Sequence, residues 1–265
     1  MKRFQVFVLS LISPLFLWAC SYEDESVDYT NKLSNEEIIE NFQHILSENE
    51  FDEELVKSQV INKWADPWRV TILNTTDHSR NESYFEYVNR YLNQIEILTK
   101  REFLPANPPG NQPNLLILLS SVDQLRNDIR ELRENNWFSP NSISLDDLFF
   151  KYFNETGVMG CYASYDINSK HEIFRATILI MNELPLNQVY ECFEEEIAQS
   201  LGLPGDLRWP GPSIFNDDGI FKKLTQHDEY LIQMLYDDRI QPGTEIFKGV
   251  EVAREILSEI REKVQ

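Results

Sequence analysis

Residues Asn114–Ser120 read Asn-Leu-Leu-Ile-Leu-Leu-Ser, an almost wholly apolar run. Five consecutive aliphatic side chains leave no polar face for solvent, so the run reads as a central strand buried on both sides. A strand of that kind needs neighbouring strands and covering helices, and the rest of the chain supplies candidates. Ser34-Asn35-Glu36-Glu37 has capping-box spacing, and Ile38, Ile39, Phe42, Ile45 and Leu46 follow it as a helical stripe. A second helix is expected over 52–63, broken by Trp64-Ala65-Asp66-Pro67-Trp68 because proline disfavours helix before itself. Arg69–Asn74 reads as a strand. Asn81–Phe103 reads as a long helix with Tyr84, Val88, Tyr91, Leu92, Ile95 and Leu98 on one face.

Downstream, residues 105–113 form a Pro/Gly/Asn-rich loop. Helices are expected at 121–134 and 144–153, and strands at 158–165 and 173–181 around a polar turn. A helix over 187–200 ends at Gly202, where a left-handed cap belongs. Residues 204–219 read as loop, and 225–236 and 244–264 as two final amphipathic helices. There is no internal repeat. This order of elements reads as α+β in one domain over 34–265. At 265 residues and 42% hydrophobic composition the chain can bury a core without disulfide staples.

Residues 1–19 are set apart as an address. Lys2 and Arg3 precede an apolar stretch from Phe4 to Trp18 that ends in Leu17-Trp18-Ala19-Cys20. A small residue before cysteine at such a boundary resembles the bacterial lipobox. The resemblance implies cleavage before Cys20, a diacylglyceryl group on its sulfur and an acyl chain such as palmitate on its nitrogen; the alternatives are an ordinary secretory signal or a membrane anchor that stays. Ser21 at the next position points to the outer membrane, lipid-anchored and facing the periplasm, with surface export open through the acidic run that follows. Residues 20–33 are polar and acidic and read as a tether. The chain carries a net charge of −20, and two of its 24 basic residues lie in 1–19, so the remainder carries −22. That balance argues against a nucleic-acid partner and against docking on an anionic membrane through a basic face. The expected partners are the membrane, through lipid on Cys20, and an envelope protein.

Cys161 and Cys192 are the other two of the three cysteines. In an exported protein they are expected to pair, closing a loop of roughly 30 residues worth ~3–4 kcal/mol on the chain-entropy estimate. A free Cys192 acting as a nucleophile is the alternative.

The segment from Glu191 to Asp206 carries the most chemistry. On a helix, Cys192, Glu195, Glu196 and Gln199 share a polar stripe, while Phe193, Ile197, Ser200 and Leu201 take the opposite side. The bland reading is that three consecutive glutamates, 194–196, form a solvated face. The pattern Glu196-Ile-Ala-Gln-Ser-Leu-Gly202-Leu-Pro-Gly-Asp206 resembles the active-site helix of the metzincin proteases, His-Glu-x-x-His-x-x-Gly-x-x-His/Asp. Glu196 matches the general base and Gly202 the glycine. Glu195 and Gln199 stand where the family has zinc-binding histidines, and Asp206 lies next to the third-ligand position. Ser213-Ile214-Phe215-Asn216 and the following Leu224-Thr225…Asp228 resemble the Met-turn and its helix, with Phe215 in the methionine's place.

A closer resemblance is to the bacterial domain of unknown function 2927. It is carried by Cys192–Leu203, Ser213–Asp218 and Leu224–Gly243, and it spans about 60–245. Together these resemblances imply a single metzincin-like domain with a small mixed sheet backed by helices. They also imply a non-catalytic zincin-like binding or assembly module. The alternative is a divergent hydrolase with Glu196 as base. Its metal site of Glu195, Gln199 and Asp206 is an oxygen set, suited to a divalent cation such as Ca²⁺ or Mg²⁺ rather than zinc. No other cofactor is expected. Asn216, Asp217 and Asp218 form a second polar cluster that reads as a turn or as further ligands. His44, His78, His171 and His227 are scattered along the chain.

Overall fold

The computed structural model describes residues 25–47, 59–76, 78–105, 112–137, 160–207, 211–216 and 219–264. Two helices come first, α1 (Glu25–Lys32) and α2 (Asn35–Ser47). Ser34 closes the expected capping box: its backbone N–H donates to Glu37 Oε2 at 2.7 Å, and Glu37 N–H donates to Ser34 Oγ at 3.2 Å. All five residues of the α2 stripe are buried.

The stretch expected to be a tether holds α1. The helix forms because it packs on the domain: Thr30 and Leu33, three residues apart, are buried, while Tyr29 lies against the ring of Phe221. The helix expected over 52–63 is not found in its described part. Ile61 N–H donates to Thr244 O at 2.8 Å, and Lys63–Trp64 form a short strand, β1. With Ile61 and Trp64 both buried, the backbone is satisfied in extended form. Residues 52–58 and the helix expected at 144–153 lie outside the described residues.

β2 (Trp68–Asn74), β3 (Phe103–Pro105), β4 (Leu115–Ser120), β5 (Cys161–Ile167) and β6 (Glu172–Met181) complete a mixed sheet. The order β3-β2-β4-β6 is parallel throughout. β1 pairs parallel with the start of β6 at Lys63↔Glu172, and β5 pairs antiparallel with β6. As its composition predicts, β4 is central and buried at all six residues. Its alternation feeds two layers. Leu115, Ile117 and Leu119 enter the main core with α3 (Asn81–Thr99), while Leu118 joins Leu125 and Ile129 of α4 (Val122–Glu134) on the other face. These layers make an α+β domain.

The long helix α3 buries Tyr84, Val88, Tyr91, Leu92 and Ile95 as its periodicity requires. It stops at Thr99 rather than Phe103, because Lys100 turns left-handed (φ 55°) and donates to Glu96 O at 2.8 Å. Phe103–Pro105 are thereby released to pair with Trp68–Val70. Three helices close the domain: α5 (Leu186–Ser200), α6 (Gln226–Tyr236) and α7 (Ile246–Val264). α7 packs on α2, and Arg254 pairs with Glu36 across that seam. Among the described residues no helix is long and apolar enough to cross a membrane.

Candidate functional site

α5 is buried on nearly every side. Pro185 begins it with φ −54°, compatible with helix entry. Its far end is tied into the core: Trp64 Nε1–H donates to Ser200 O at 2.8 Å and Tyr236 O–H donates to Leu201 O at 2.9 Å. Those bonds satisfy carbonyls that a helix end leaves without partners. Gly202 follows with φ 109°, and a Cβ there would collide with the carbonyl oxygen of Asn62, so the position admits only glycine.

The expected core side of α5 is found: Phe193, Ile197, Ser200 and Leu201 are all buried. The expected solvated face is not. Glu194 and Glu196 are buried, Gln199 is buried, and only Glu191 and Glu195 are half-exposed. The glutamate triplet is therefore no solvated face, because α5 is roofed by α3 on one side and by the segment before α6 on another.

Glu194 is the hub of that roof. Tyr87 O–H donates to its Oε1 at 2.7 Å and Leu224 N–H donates to its Oε2 at 3.1 Å, while Tyr91 O–H donates to its backbone oxygen at 2.8 Å. Burial raises the Glu194 carboxyl above its ordinary value, and the bonds from Tyr87 and Leu224 pull the other way. Burial, with the Glu194 bond next, pushes the Tyr87 phenol well above its ordinary range. Tyr87 stacks on Tyr190 with centroids 4.2 Å apart, and the Arg90 guanidinium lies 5.3 Å from its ring centre.

The residues at the metzincin positions form part of the same interior. Glu196, at the general-base position, is 2% exposed. Gln199 Nε2–H donates to Asp206 Oδ1 at 3.0 Å, so two members of the proposed metal set are bonded to each other. Glu195 stands one turn before Gln199 on α5 and is half-exposed. An amide committed to a carboxylate beside two acids is no zinc donor set, which calls for neutral imidazole or thiolate. Among the described residues no group of three His, Cys, Asp or Glu side chains is arranged to hold a metal ion.

Cys192 is bonded to Cys161, with Cα atoms 5.8 Å apart and a sequence separation of 31. The bond joins α5 to β5 and removes Cys192 as a nucleophile.

The turn at Ser213–Asn216 is built on a second buried carboxylate. Asp228 receives bonds from Ser213 O–H at 2.6 Å, Ile214 N–H at 3.1 Å, Thr225 N–H at 2.9 Å and Thr225 O–H at 2.7 Å. Thr225 and Asp228 also form the capping box of α6. Phe215, in the methionine's place, is fully buried, and Leu207 N–H donates to its carbonyl at 2.5 Å. That bond sets the turn beside Asp206. Asn216 is buried, while Asp217 and Asp218 lie outside the described residues.

His227 is buried beside Asp228, its Nδ1 3.3 Å from Oδ1, with Asn41 Nδ2 3.0 Å from its Nε2. His171 meets Asn62 Oδ1 at 3.1 Å, at the far end of β6. Neither joins the α5 glutamates in a shared hydrogen bond.

The residues not anticipated from sequence are Tyr87, Tyr91 and Lys63. Lys63 is almost wholly buried, and its ammonium donates to the carbonyls of Leu235 at 3.0 Å, Asp237 at 3.4 Å and Ile240. It thereby closes the end of α6, and burial pulls it down to about 8. A strand lysine beside Trp64 carries no local signal of such a role. Asp228 stands in the Leu224-Thr225…Asp228 pattern that resembles the helix after the Met-turn.

No curated protein and no solved structure is similar enough to the chain to match it. A family model described as protein of unknown function (DUF2927) matches residues 35–254, from the start of α2 into α7, and the chain belongs to that family.

Proposed function

We propose that this chain is a lipid-anchored protein of the bacterial envelope, held through Cys20 at the outer membrane and facing the periplasm. Its zincin-like helix α5 serves a non-catalytic binding or assembly role. One observation carries the non-catalytic reading: Gln199, at a ligand position, is held by Asp206 inside the fold. Polar groups committed to one another stabilise a scaffold and leave no open donor set for a hydrolytic metal. The Cys161–Cys192 bond supports the compartment, since such bonds persist outside the reducing cytosol.

The burial of Glu196 favours a second reading, a divergent hydrolase with Glu196 as general base and oxygen ligands from Glu195, Gln199 and Asp206. Metal analysis of the purified protein separates the two, with Glu195→Ala as the control. On the scaffold reading no stoichiometric metal co-purifies, and Ca²⁺, Mg²⁺ and Zn²⁺ leave the melting temperature of both proteins unchanged. A bound metal lost in Glu195→Ala would overturn it in favour of the hydrolase. The anchor is tested by Cys20→Ser, which should abolish lipid labelling and release the protein from the membrane fraction. Retention of both in that variant would refute lipidation at Cys20.

A further inference from the structure

The surface around α1 carries an apolar cluster outside the core. Tyr29 on α1 is 48% exposed and Ile220, in the loop before α6, is 73% exposed. The Tyr29 ring meets edge-on, at 5.8 Å, the ring of Phe221, the residue next to Ile220. One lysine borders it and two more follow it in sequence. Lys32 Nζ lies 5.0 Å over the Tyr29 ring, and Lys222 and Lys223 follow Phe221 in sequence and are exposed. A tyrosine and large apolar side chains flanked by lysines suit the boundary between lipid headgroups and acyl chains. Rings and aliphatic tips enter that boundary while ammonium heads reach back to phosphate.

Chain length decides the occupant. Cys20 precedes the start of α1 at Glu25 by five residues. At full extension that segment spans at most about 18 Å. The four helical steps from Glu25 to Tyr29 add about 6 Å. A diacylglyceryl group on Cys20 fixes that residue at the bilayer surface. A domain of this size, about 45 Å across, cannot then turn its α1 face away from the lipid.

We propose that Tyr29, Ile220 and Phe221, with Lys32, Lys222 and Lys223, form a membrane-contact surface that seats the domain on the phospholipid bilayer carrying its own anchor. The proposal rests on acylation of Cys20 as read above. It does not need a basic face: Glu25, Asp28, Asp217 and Asp218 lie near the lysines in sequence and offset them. Insertion of apolar side chains is therefore the main attraction, and the lysines set the depth.

The test uses the full-length lipoprotein reconstituted into phosphatidylethanolamine–phosphatidylglycerol vesicles, with and without brominated acyl chains. Tryptophan is introduced at the patch by Ile220→Trp. As a control it is introduced by Phe247→Trp, an equally exposed position at the start of α7, beyond the opposite end of α6. Emission from the native tryptophans is subtracted using the unsubstituted protein. The expected result is loss of the added emission in brominated vesicles for Ile220→Trp and none for Phe247→Trp. Equal quenching of the two, or none in either, would overturn the contact surface, including in favour of a protein partner on this patch. Mass analysis of the N-terminal peptide keeps the two failures apart. An acylated Cys20 without selective quenching removes only the contact surface, whereas an unmodified Cys20 removes the anchor and the contact with it.

Discussion

β4 and α5 both carry their middle residues into the interior, and they solve burial in opposite ways. β4 presents five aliphatic side chains to two layers and needs only shape around it. α5 carries Glu194, Glu196 and Gln199 into the interior. For Glu194 and Gln199 the partners are Tyr87, the Leu224 amide and Asp206. The first solution tolerates change within volume, whereas the second depends on donors placed by other parts of the chain. The family-like motifs cluster on the second.

The largest loss is expected on the β4 side. Ile117→Ala should cost about 2–5 kcal/mol through lost transfer energy and a cavity. The loss, read by denaturant unfolding, should be the same from pH 5 to 8, since no charge is involved. Replacing Cys161 and Cys192 together by alanine should cost about 3–4 kcal/mol, read as a fall in melting temperature that reductant reproduces in the unsubstituted protein.

Glu194→Ala should cost about 1–3 kcal/mol, because the Leu224 amide and Tyr87 hydroxyl lose their acceptor. Here pH matters. The Glu194 carboxyl is raised in the fold above its ordinary 4.5, so between 4.5 and that raised value the folded state binds the extra proton. The stability advantage of the unsubstituted protein over Glu194→Ala should therefore shrink as pH rises through that window and grow as it falls. A pH-independent difference would place Glu194 with β4 rather than against it.

Lys63→Met gives the opposite sign. Its loss leaves three carbonyls at the end of α6 without their donor, about 1–3 kcal/mol. The folded value of about 8 lies below the ordinary 10.5, so the unfolded chain binds more protons between the two. The advantage of the unsubstituted protein over Lys63→Met should rise as pH goes from 8 to 10.5.

The same contrast explains what could be read from sequence. β4, the α3 stripe and the Ser34 capping box declare themselves because their physics is local: composition, period and a three-residue spacing. The burial of Glu194 does not, because Tyr87 stands 107 residues away and Leu224 stands 30 away. β3 was hidden inside an apolar helical pattern whose stop is a left-handed lysine rather than a glycine. α1 was hidden because a polar residue, Thr30, fills its buried face. The metal-like positions were legible as positions, and the bond between Gln199 and Asp206 supplies what residue types alone could not.

Lys63 also sets a timetable. Its three acceptors lie 172 to 177 residues further along the chain. A chain synthesised N-terminus first exposes β1 long before residues 235–240 arrive. Until then the ammonium must stay in water, and Trp64 beside it cannot settle into the core. Completion of the fold waits for nearly the whole polypeptide, so a growing chain stays open around β1 until its last fifth has been made.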